Sequence, residues 1–161
     1  MTQSLGAGAS SEVLACCETE VKRLLVSTGA SRTTLRLEND EGGFPVVAEA
    51  CADGVRALRG DERIVDLRAA PTFIALDRDR TILLQEDLEH ADPAPPPMLI
   101  ARRSARAQML APVVADERLV GIVSVHETSG PRRWREQDVR DLKAAVIAMA
   151  GALGADAWLP A

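Results

Sequence analysis

The segment Ser104–Glu127, with the sequence SARAQMLAPVVADERLVGIVSVHE, decides the fold of this chain. Two runs rich in β-branched and small apolar residues, 105–114 and 119–127, flank the polar tetrapeptide Ala115-Asp116-Glu117-Arg118. Two such runs around a short polar break predict an antiparallel hairpin with a tight turn. Because successive side chains of a strand point to opposite faces, the hairpin also sorts its residues into two environments.

The two ends of the chain have the pattern of amphipathic helices. Ser10 can cap a helix that ends before Gly29, and a second helix is predicted over 136–153, after Gly130-Pro131. Apolar residues recur in both at spacings of three and four, which places one apolar stripe along each helix. The stripes consist of Leu14, Cys17, Val21 and Leu24 in the first helix and Val139, Leu142, Val146, Met149 and Leu153 in the second.

The segment after the first helix predicts a second hairpin. Ser31–Leu37, SRTTLRL, and the run FPVVAEACA at 44–52 lie on either side of the turn-forming residues 39–43. Strands that are grouped between terminal helices, rather than alternating with helices, predict an α+β domain with a central antiparallel sheet of five to six strands. The remaining middle of the chain is predicted to contain a loop with a turn of helix over 53–68, a short helix over 70–76, a strand over 81–88 and a helix over 98–103.

Length, composition and charge limit the class of protein. The 161 residues (17.2 kDa) suffice for one domain, and 47% hydrophobic and 27% charged residues are typical of globular proteins. A net charge of -5 argues against nucleic acid as a partner, because phosphate binding needs a basic surface. No apolar run approaches the roughly 20 residues of a membrane helix, so we expect no membrane partner.

The cysteines indicate the redox environment. Cys16, Cys17 and Cys51 form an odd set without the spacing of metal ligands. We therefore expect reduced thiols in a cytoplasmic protein that holds no metal and no cofactor. Cys51 fits a small buried hydrophobe better than a nucleophile.

The order of the elements, together with three segments, resembles a GAF domain, a small-molecule sensor module related to PAS domains. Ser104–Glu127 is similar to the family's two central strands, and RRWREQDVRDLKAAVIAMA at 132–150 is similar to its closing segment. TILLQEDL at 81–88 is similar to the short strand that precedes the family's pocket helix. The resemblance implies a single GAF-like (profilin-like) domain over 10–153, with a flexible start (1–9) and a C-terminal tail (154–161).

Several signatures of GAF subfamilies are missing from this sequence. There is no Asn-Lys-x-Phe-Asp-Glu set, as in the members that bind cyclic nucleotides, and no Cys-His pair of the kind that attaches a bilin. The free methionine sulfoxide reductases use cysteines in the later half of the domain, whereas all three cysteines here lie in the first third. The resemblance therefore implies a fold and a pocket without naming a ligand.

The resemblance also implies that the terminal helices pack on one face of the sheet and that loops and short helices close a pocket on the other. Alternation along the strands then assigns each side chain to one of the two faces. The helix-packed set is Leu35, Leu37, Val46, Ala48, Ala50, Ala105, Ala107, Met109, Ala111, Val123 and Val125. The pocket set is Arg32, Thr34, Arg36, Val47, Glu49, Cys51, Arg106, Gln108, Leu110, Ile122, Ser124 and His126.

Arginine outnumbers carboxylate in the pocket set, where Glu49 is the single acid. Because a covered face must satisfy its charged groups, we hypothesise that a ligand carboxylate supplies the missing negative charge to a guanidinium. The structural alternative is that the arginines reach water at the strand ends and that Arg36 pairs with Glu38 or Asp40. The residues assigned to ligand binding are Arg32, Thr34, Arg36, Glu49, Arg106, Gln108, Ser124 and His126.

Three functions remain open from the sequence. The first is a regulatory sensor that binds a small, anionic molecule in the pocket. The second is a small cytoplasmic enzyme that uses the same pocket, with His126 and Glu49 as general acid and base on an anionic substrate. The third is a homodimerisation module without a ligand. Because related domains often dimerise through their terminal helices, we expect a homodimer, with Leu25 and Leu153 on the flanks of the helix pair available to the second copy.

Overall fold

Five strands and four α-helices form along residues 8–60 and 67–155, the parts of the chain that the computed structural model describes. This architecture confirms the predicted α+β fold with an antiparallel sheet. Residues 1–7 of the predicted start, 156–161 of the predicted tail and 61–66 of the predicted loop lie outside the described residues. The elements are α1 (Ser11–Thr28), β1 (Arg32–Leu37), β2 (Val46–Cys51), α2 (Pro71–Asp79), β3 (Leu83–Gln85), α3 (Pro97–Arg103), β4 (Ala107–Ala115), β5 (Arg118–Glu127) and α4 (Glu136–Leu153), with 3-10 turns at Leu67–Ala69 and Leu88–His90.

The terminal helices begin and end where the capping residues require. Ser10 Oγ accepts a hydrogen bond from Val13 N at 3.2 Å, and α1 ends at Gly29, whose φ of 63° suits a residue without Cβ. Helix α4 begins with the Asp138 carboxylate accepting from the backbone N of Arg135 at 2.9 Å, and it ends at Gly154 with φ 69°. None of the described helices is long and apolar enough to cross a membrane.

The sheet has the order β2-β1-β5-β4-β3, and every neighbouring pair is antiparallel. Strand β5 is therefore central, since it pairs with β1 on one side and with β4 on the other. The β4–β5 turn places Asp116 and Glu117 at φ 51° and 62°. Positive φ at both central residues matches the right-handed twist of the flanking strands, as in other tight hairpins.

The larger hydrophobic core lies between the sheet and the two terminal helices. Helix α1 packs on β1 and β2, helix α4 packs on β4, and the two helices contact each other. Thr33 on this face donates its hydroxyl to Val21 O of α1 at 2.6 Å, which satisfies a buried polar group. The side chains of this core are almost all aliphatic or small and include Val21, Leu24, Leu35, Leu37, Met109, Val123, Val125, Leu142, Val146 and Met149.

The predicted division of the strands between the two faces is wrong at three positions. Val46 packs beside Leu58 and Leu99 on the pocket side, while Val47 packs against the helix-side core. The cause is a register shift in the β1–β2 pairing between Leu35 and Arg36, which exchanges the faces of the residues beyond it. Ala105 also packs on the pocket side, because strand β4 begins only at Ala107.

Some predicted boundaries also change. Strand β3 covers Leu83–Gln85 rather than the whole of 81–88, because Asp87 accepts from Glu89 N and starts a 3-10 turn. Helix α2 extends to Asp79, three residues past the predicted end. The helix predicted over 98–103 is present as α3.

Gly121 occupies the most crowded backbone position of the central strand. A Cβ at Gly121 would lie 2.8 Å from Arg36 O and 2.8 Å from Leu37 Cδ2, so β1 and β5 would have to separate. We therefore expect Gly121→Ala to lower the free energy of unfolding by about 1–3 kcal/mol in urea titrations, as overpacking does elsewhere.

The matched control is Gly151→Ala, which lies in α4 where a Cβ would meet nothing within 4 Å. This change should raise the free energy of unfolding by about 0.5–1 kcal/mol, because alanine favours a helix interior over glycine. A Gly121→Ala protein that unfolds at the same urea concentration as the parent protein would contradict the close packing of β1 against β5.

Candidate functional site

A cavity of about 50 Å³ lies between the sheet and the segment that contains α2 and α3. The sheet contributes the floor of the cavity from β1, β4 and β5, and the middle segment contributes its cover. The cavity is lined by Arg36, Leu58, Leu67, Thr72, Phe73, Pro96, Met98, Leu99, Arg102, Arg103, Gln108, Leu110, Ile122, Ser124 and His126.

Two small apolar clusters hold the cover on the sheet. Under α2, Phe44 and Phe73 meet edge to face with ring centroids 5.1 Å apart, and Leu110 and Ile122 of the sheet complete the cluster. Under α3, Leu99 packs with Val46, Leu58, Leu88 and Ala105. The cavity is thus the space that remains between two packed contacts.

Four of the residues assigned to ligand binding line the cavity together: Arg36, Gln108, Ser124 and His126. Alternation along paired strands is responsible, since Ser124 and His126 are two residues apart on β5 and Gln108 is paired with His126 across the hairpin. Arg36 Nη1 donates to Phe44 O at 2.7 Å, so this arginine also ties β1 to the chain that precedes β2.

Arg32 and Thr34 lie on the same face of β1 but outside the lining of the cavity. The Arg32 guanidinium is fully buried, with Nε donating to His126 Nδ1 at 3.1 Å and Nη1 donating to Arg56 O at 2.7 Å. Arg32 Nη2 and Thr34 Oγ1 are buried and have no hydrogen-bond partner among the described residues. An orphaned buried polar atom costs stability, and its usual partner is a bound water or ligand.

Burial controls the ionisation of Arg32 and His126. Desolvation lowers the pKa of Arg32 to about 10, so that the guanidinium keeps its charge at neutral pH. Desolvation, and then the charges of Arg32 and Arg36, lower the pKa of His126 well below 6.5. His126 is therefore neutral at pH 7, and because Nδ1 accepts from Arg32, the proton of the imidazole is on Nε2.

Glu49 and Arg106 do not line the cavity. The Glu49 carboxylate accepts from the backbone N of Leu58 at 2.7 Å and of Arg59 at 3.2 Å, which holds the loop after β2. Arg106 precedes β4 and lies 3.5 Å from the Glu89 carboxylate at the surface. The structure thus does not bring Glu49 and His126 together as an acid and base pair, since β1 lies between their strands.

Arg102 and Arg103 are lining residues that the sequence analysis missed. Both come from α3, and Arg103 lies one helical turn after Leu99, so that the residue that anchors α3 also directs Arg103 to the cavity. Arg102 is exposed at the cavity and has no hydrogen bond or ion pair from its side chain within residues 8–60 and 67–155. For Arg103, the signal available from sequence was its spacing of four from Leu99, whereas no local pattern indicates Arg102.

A charged cluster connects the cavity end of β5 to both terminal helices. Glu127, next to His126, accepts from Ser31 Oγ at 2.5 Å and pairs with Arg132 at 3.1 Å. Arg132 in turn donates to Thr28 O at the end of α1 and lies 3.4 Å from Asp138 of α4. Burial alone would raise the pKa values of Glu127 and Asp138, but their hydrogen bonds and arginine partners more than offset it, so both pKa values are lowered.

The described parts of the chain contain no group of three or more His, Cys, Asp or Glu side chains arranged to hold a metal ion. The cavity lining offers guanidinium groups, one amide, hydroxyls and one neutral imidazole, together with apolar walls. Such a set binds organic molecules that have polar or acidic groups.

The comparisons with solved structures find a widely shared fold. The blue-light-absorbing form of the PixJ GAF domain of Thermosynechococcus elongatus is 22% identical, with a TM-score of 0.67 over 89% of this chain and 86% of that chain. The photoproduct state of GAF3 from Slr1393 of Synechocystis sp. PCC6803 is 16% identical, with a TM-score of 0.71 over 88% and 92%. A far-red-absorbing dark state, JSC1_58120g3 with bound biliverdin IXa, is 14% identical, with a TM-score of 0.67 over 89% and 90%.

At these identities, the likeness to solved structures establishes the fold alone. None of the curated proteins matches the chain significantly in sequence. The family model of the GAF domain, however, matches residues 12–153, which is most of the chain. The match spans both terminal helices, the five-stranded sheet and the cavity between the sheet and its cover, and the chain therefore belongs to the GAF domain family.

Proposed function

We propose that this GAF domain is a sensor module that binds a small organic acid in the cavity above β1, β4 and β5. The observation that carries the proposal is the exposed side chain of Arg102 at the cavity, which is unpaired among the described residues. Its guanidinium is exposed at the cavity and has no hydrogen bond or ion pair with the described residues, so it is available to a ligand carboxylate. No Asp or Glu among the described residues lines the cavity beside it. A charge-assisted hydrogen bond from a guanidinium is the strongest contact that such a lining can offer.

The size of the cavity limits the buried part of the ligand. One water needs about 10–15 Å³ of comparable volume, so the cavity of about 50 Å³ accepts only a few heavy atoms. Drug-sized ligands occupy pockets of roughly 300–1,000 Å³. An open-chain tetrapyrrole such as biliverdin is far too large for this cavity, and the described lining contains no cysteine that could attach one. We therefore propose a small acid instead of a bilin.

The contacts of β5 support the sensor part of the proposal. His126 lines the cavity, and the next residue, Glu127, pairs with Arg132. Arg132 contacts the last residue of α1 and the buried Asp138 of α4. A ligand that moves the end of β5 would act on both terminal helices through one cluster of charged groups. The cavity and the helices are then coupled by the difference in contact free energy between the ligand-bound and ligand-free states.

Arg102 provides the test of ligand binding. Thermal-shift measurements with acetate, propionate, succinate and glutarate should show stabilisation by at least one acid, amounting to about 2.7 kcal/mol at a hundredfold excess over its Kd. Arg102→Met should weaken that acid about tenfold, because the charged hydrogen bond is lost while the apolar stem is kept. Arg36→Met is a poorer choice, since Arg36 also holds Phe44 O.

Arg133→Met is the matched control, because Arg133 is also exposed and lies before α4 outside the cavity lining. This variant should bind the acid as the parent protein does. If neither these acids nor their half-amides stabilise the protein, or if Arg102→Met binds as tightly as Arg133→Met, the proposed function is wrong.

We further propose that the domain forms a homodimer through the outer surfaces of α1 and α4. Val26 of α1 is 82% exposed and Ile147 of α4 is 60% exposed, which are large apolar side chains left in water. The flanking residues expected at this contact, Leu25 and Leu153, are instead half-buried against the helix-side core. Val26 and Ile147 are therefore the side chains that a second copy would cover.

Light scattering coupled to gel filtration should give the mass of a dimer for the parent protein and of a monomer for Ile147→Lys. Leu84→Lys is the control, because Leu84 is an exposed apolar residue (45%) of the edge strand β3 and should leave the dimer intact. A monomeric parent protein, or a dimer that survives Ile147→Lys, would exclude dimerisation through α4.

A further inference from the structure

A row of four polar side chains crosses the pocket face of the sheet at one level of the strand register. Arg32 is paired with His126, His126 with Gln108, and Gln108 with Gln85. All four side chains are nearly inaccessible to water, with exposures of 0, 2, 1 and 5% in that order. Buried polar groups of this kind are normally fully hydrogen-bonded, so any capacity left unused is informative.

One end of the row fixes the orientation of both glutamines. Gln85 Nε2 donates to Pro93 O at 2.6 Å, and a backbone carbonyl can only accept. Gln85 Oε1 therefore faces Gln108 as an acceptor, and Gln108 Nε2 donates to it at 2.8 Å. With its amide nitrogen engaged, Gln108 has its Oε1 left as an acceptor.

The other end of the row fixes the imidazole. Arg32 Nε can only donate, so His126 Nδ1 is the acceptor of the 3.1 Å hydrogen bond between them. The neutral ring then has its proton on Nε2, which is left as a donor. Arg32 and Gln85 lie outside the cavity lining and are positioning residues for His126 and Gln108.

The two free groups belong to residues that are paired across neighbouring strands, and both residues line the cavity. Neither Gln108 Oε1 nor His126 Nε2 has a hydrogen bond with any described residue, and the two do not bond to each other. A ligand that satisfies both must present an acceptor next to a donor. A carboxamide does so, because its C=O and N–H groups lie on one edge.

We propose that the cavity recognises a carboxamide, whose carbonyl oxygen accepts from His126 Nε2 and whose N–H donates to Gln108 Oε1. The inference rests on the proposed function, in which Arg102 binds an acid group, and it narrows the ligand to a small acid with an amide at its other end. A second carboxylate in the place of the amide would bring a negative oxygen next to Gln108 Oε1, and these two acceptors would repel each other. A ketone would leave Gln108 Oε1 without a donor and exclude water from it at the same time, which is costly.

Matched ligands test the proposal on the unmodified protein. Calorimetry would compare malonamate, succinamate and glutaramate, which differ in the spacer between amide and acid, with the methyl ketone acid and the hydroxy acid of each spacer length. The amide of the best length should bind about tenfold or more tightly than its ketone analogue, which has no donor for Gln108 Oε1. It should also bind more tightly than its hydroxyl analogue, in which a single oxygen must both accept from His126 Nε2 and donate to Gln108 Oε1.

Gln108→Leu should abolish this preference, so that the amide and ketone acids bind with equal affinity while both still depend on Arg102. Gln85→Met should reduce the preference as well, because the Gln108 amide loses the partner that orients it. Thermal unfolding of each variant establishes that it is folded before binding is compared.

The outcomes separate the two proposals. The carboxamide inference is overturned if acids bind through Arg102 with no preference for the amide. It is also overturned if the preference for the amide persists in Gln108→Leu. Either result leaves the proposed function standing. If none of the acids binds to the parent protein, both proposals are overturned.

Discussion

Strand β5 is paired on both sides and buried on both faces, and the environment of every other element follows from this constraint. Its side chains must alternate between the helix-side core and the cavity, because successive side chains of a strand point to opposite faces of the sheet. Val123 and Val125 pack under the terminal helices, whereas Ser124 and His126 open toward the middle segment. Gly121 provides the close approach of β1 that keeps both strands in this register.

The buried row of Arg32, His126, Gln108 and Gln85 fixes which side chain on the pocket face is a hydrogen-bond donor and which is an acceptor. A guanidinium at one end and a backbone carbonyl at the other are groups whose roles in a hydrogen bond cannot be reversed. The groups between them are thereby assigned as a donor on His126 and an acceptor on Gln108. Such a row costs stability while it is only partly satisfied, so a ligand that completes it gains affinity from groups already held in place.

Sequence reasoning assigns side chains to the correct face of the sheet where the chain follows a regular period. Ser124, His126, Gln108 and Arg36 were placed on the cavity face, since long paired strands keep a strict alternation. The errors lie where the period breaks: at the register shift beside Val46 and Val47, and at Ala105 before β4 begins. Glu49 bonds to a loop and Arg102 comes from a short helix, and both depend on tertiary packing that no local pattern encodes.

The protonation state of His126 tests the account most directly, because the donor in the cavity exists only if Nδ1 accepts from Arg32. The chain has two histidines, so nitrogen NMR of the imidazole rings can follow each one through a pH titration. His90, which is exposed and bonded to Asp87, should titrate with a raised pKa. His126 should stay neutral to well below pH 6.5, with its proton on Nε2. A His126 ring that is charged at pH 6.5, or that has its proton on Nδ1, would contradict the account.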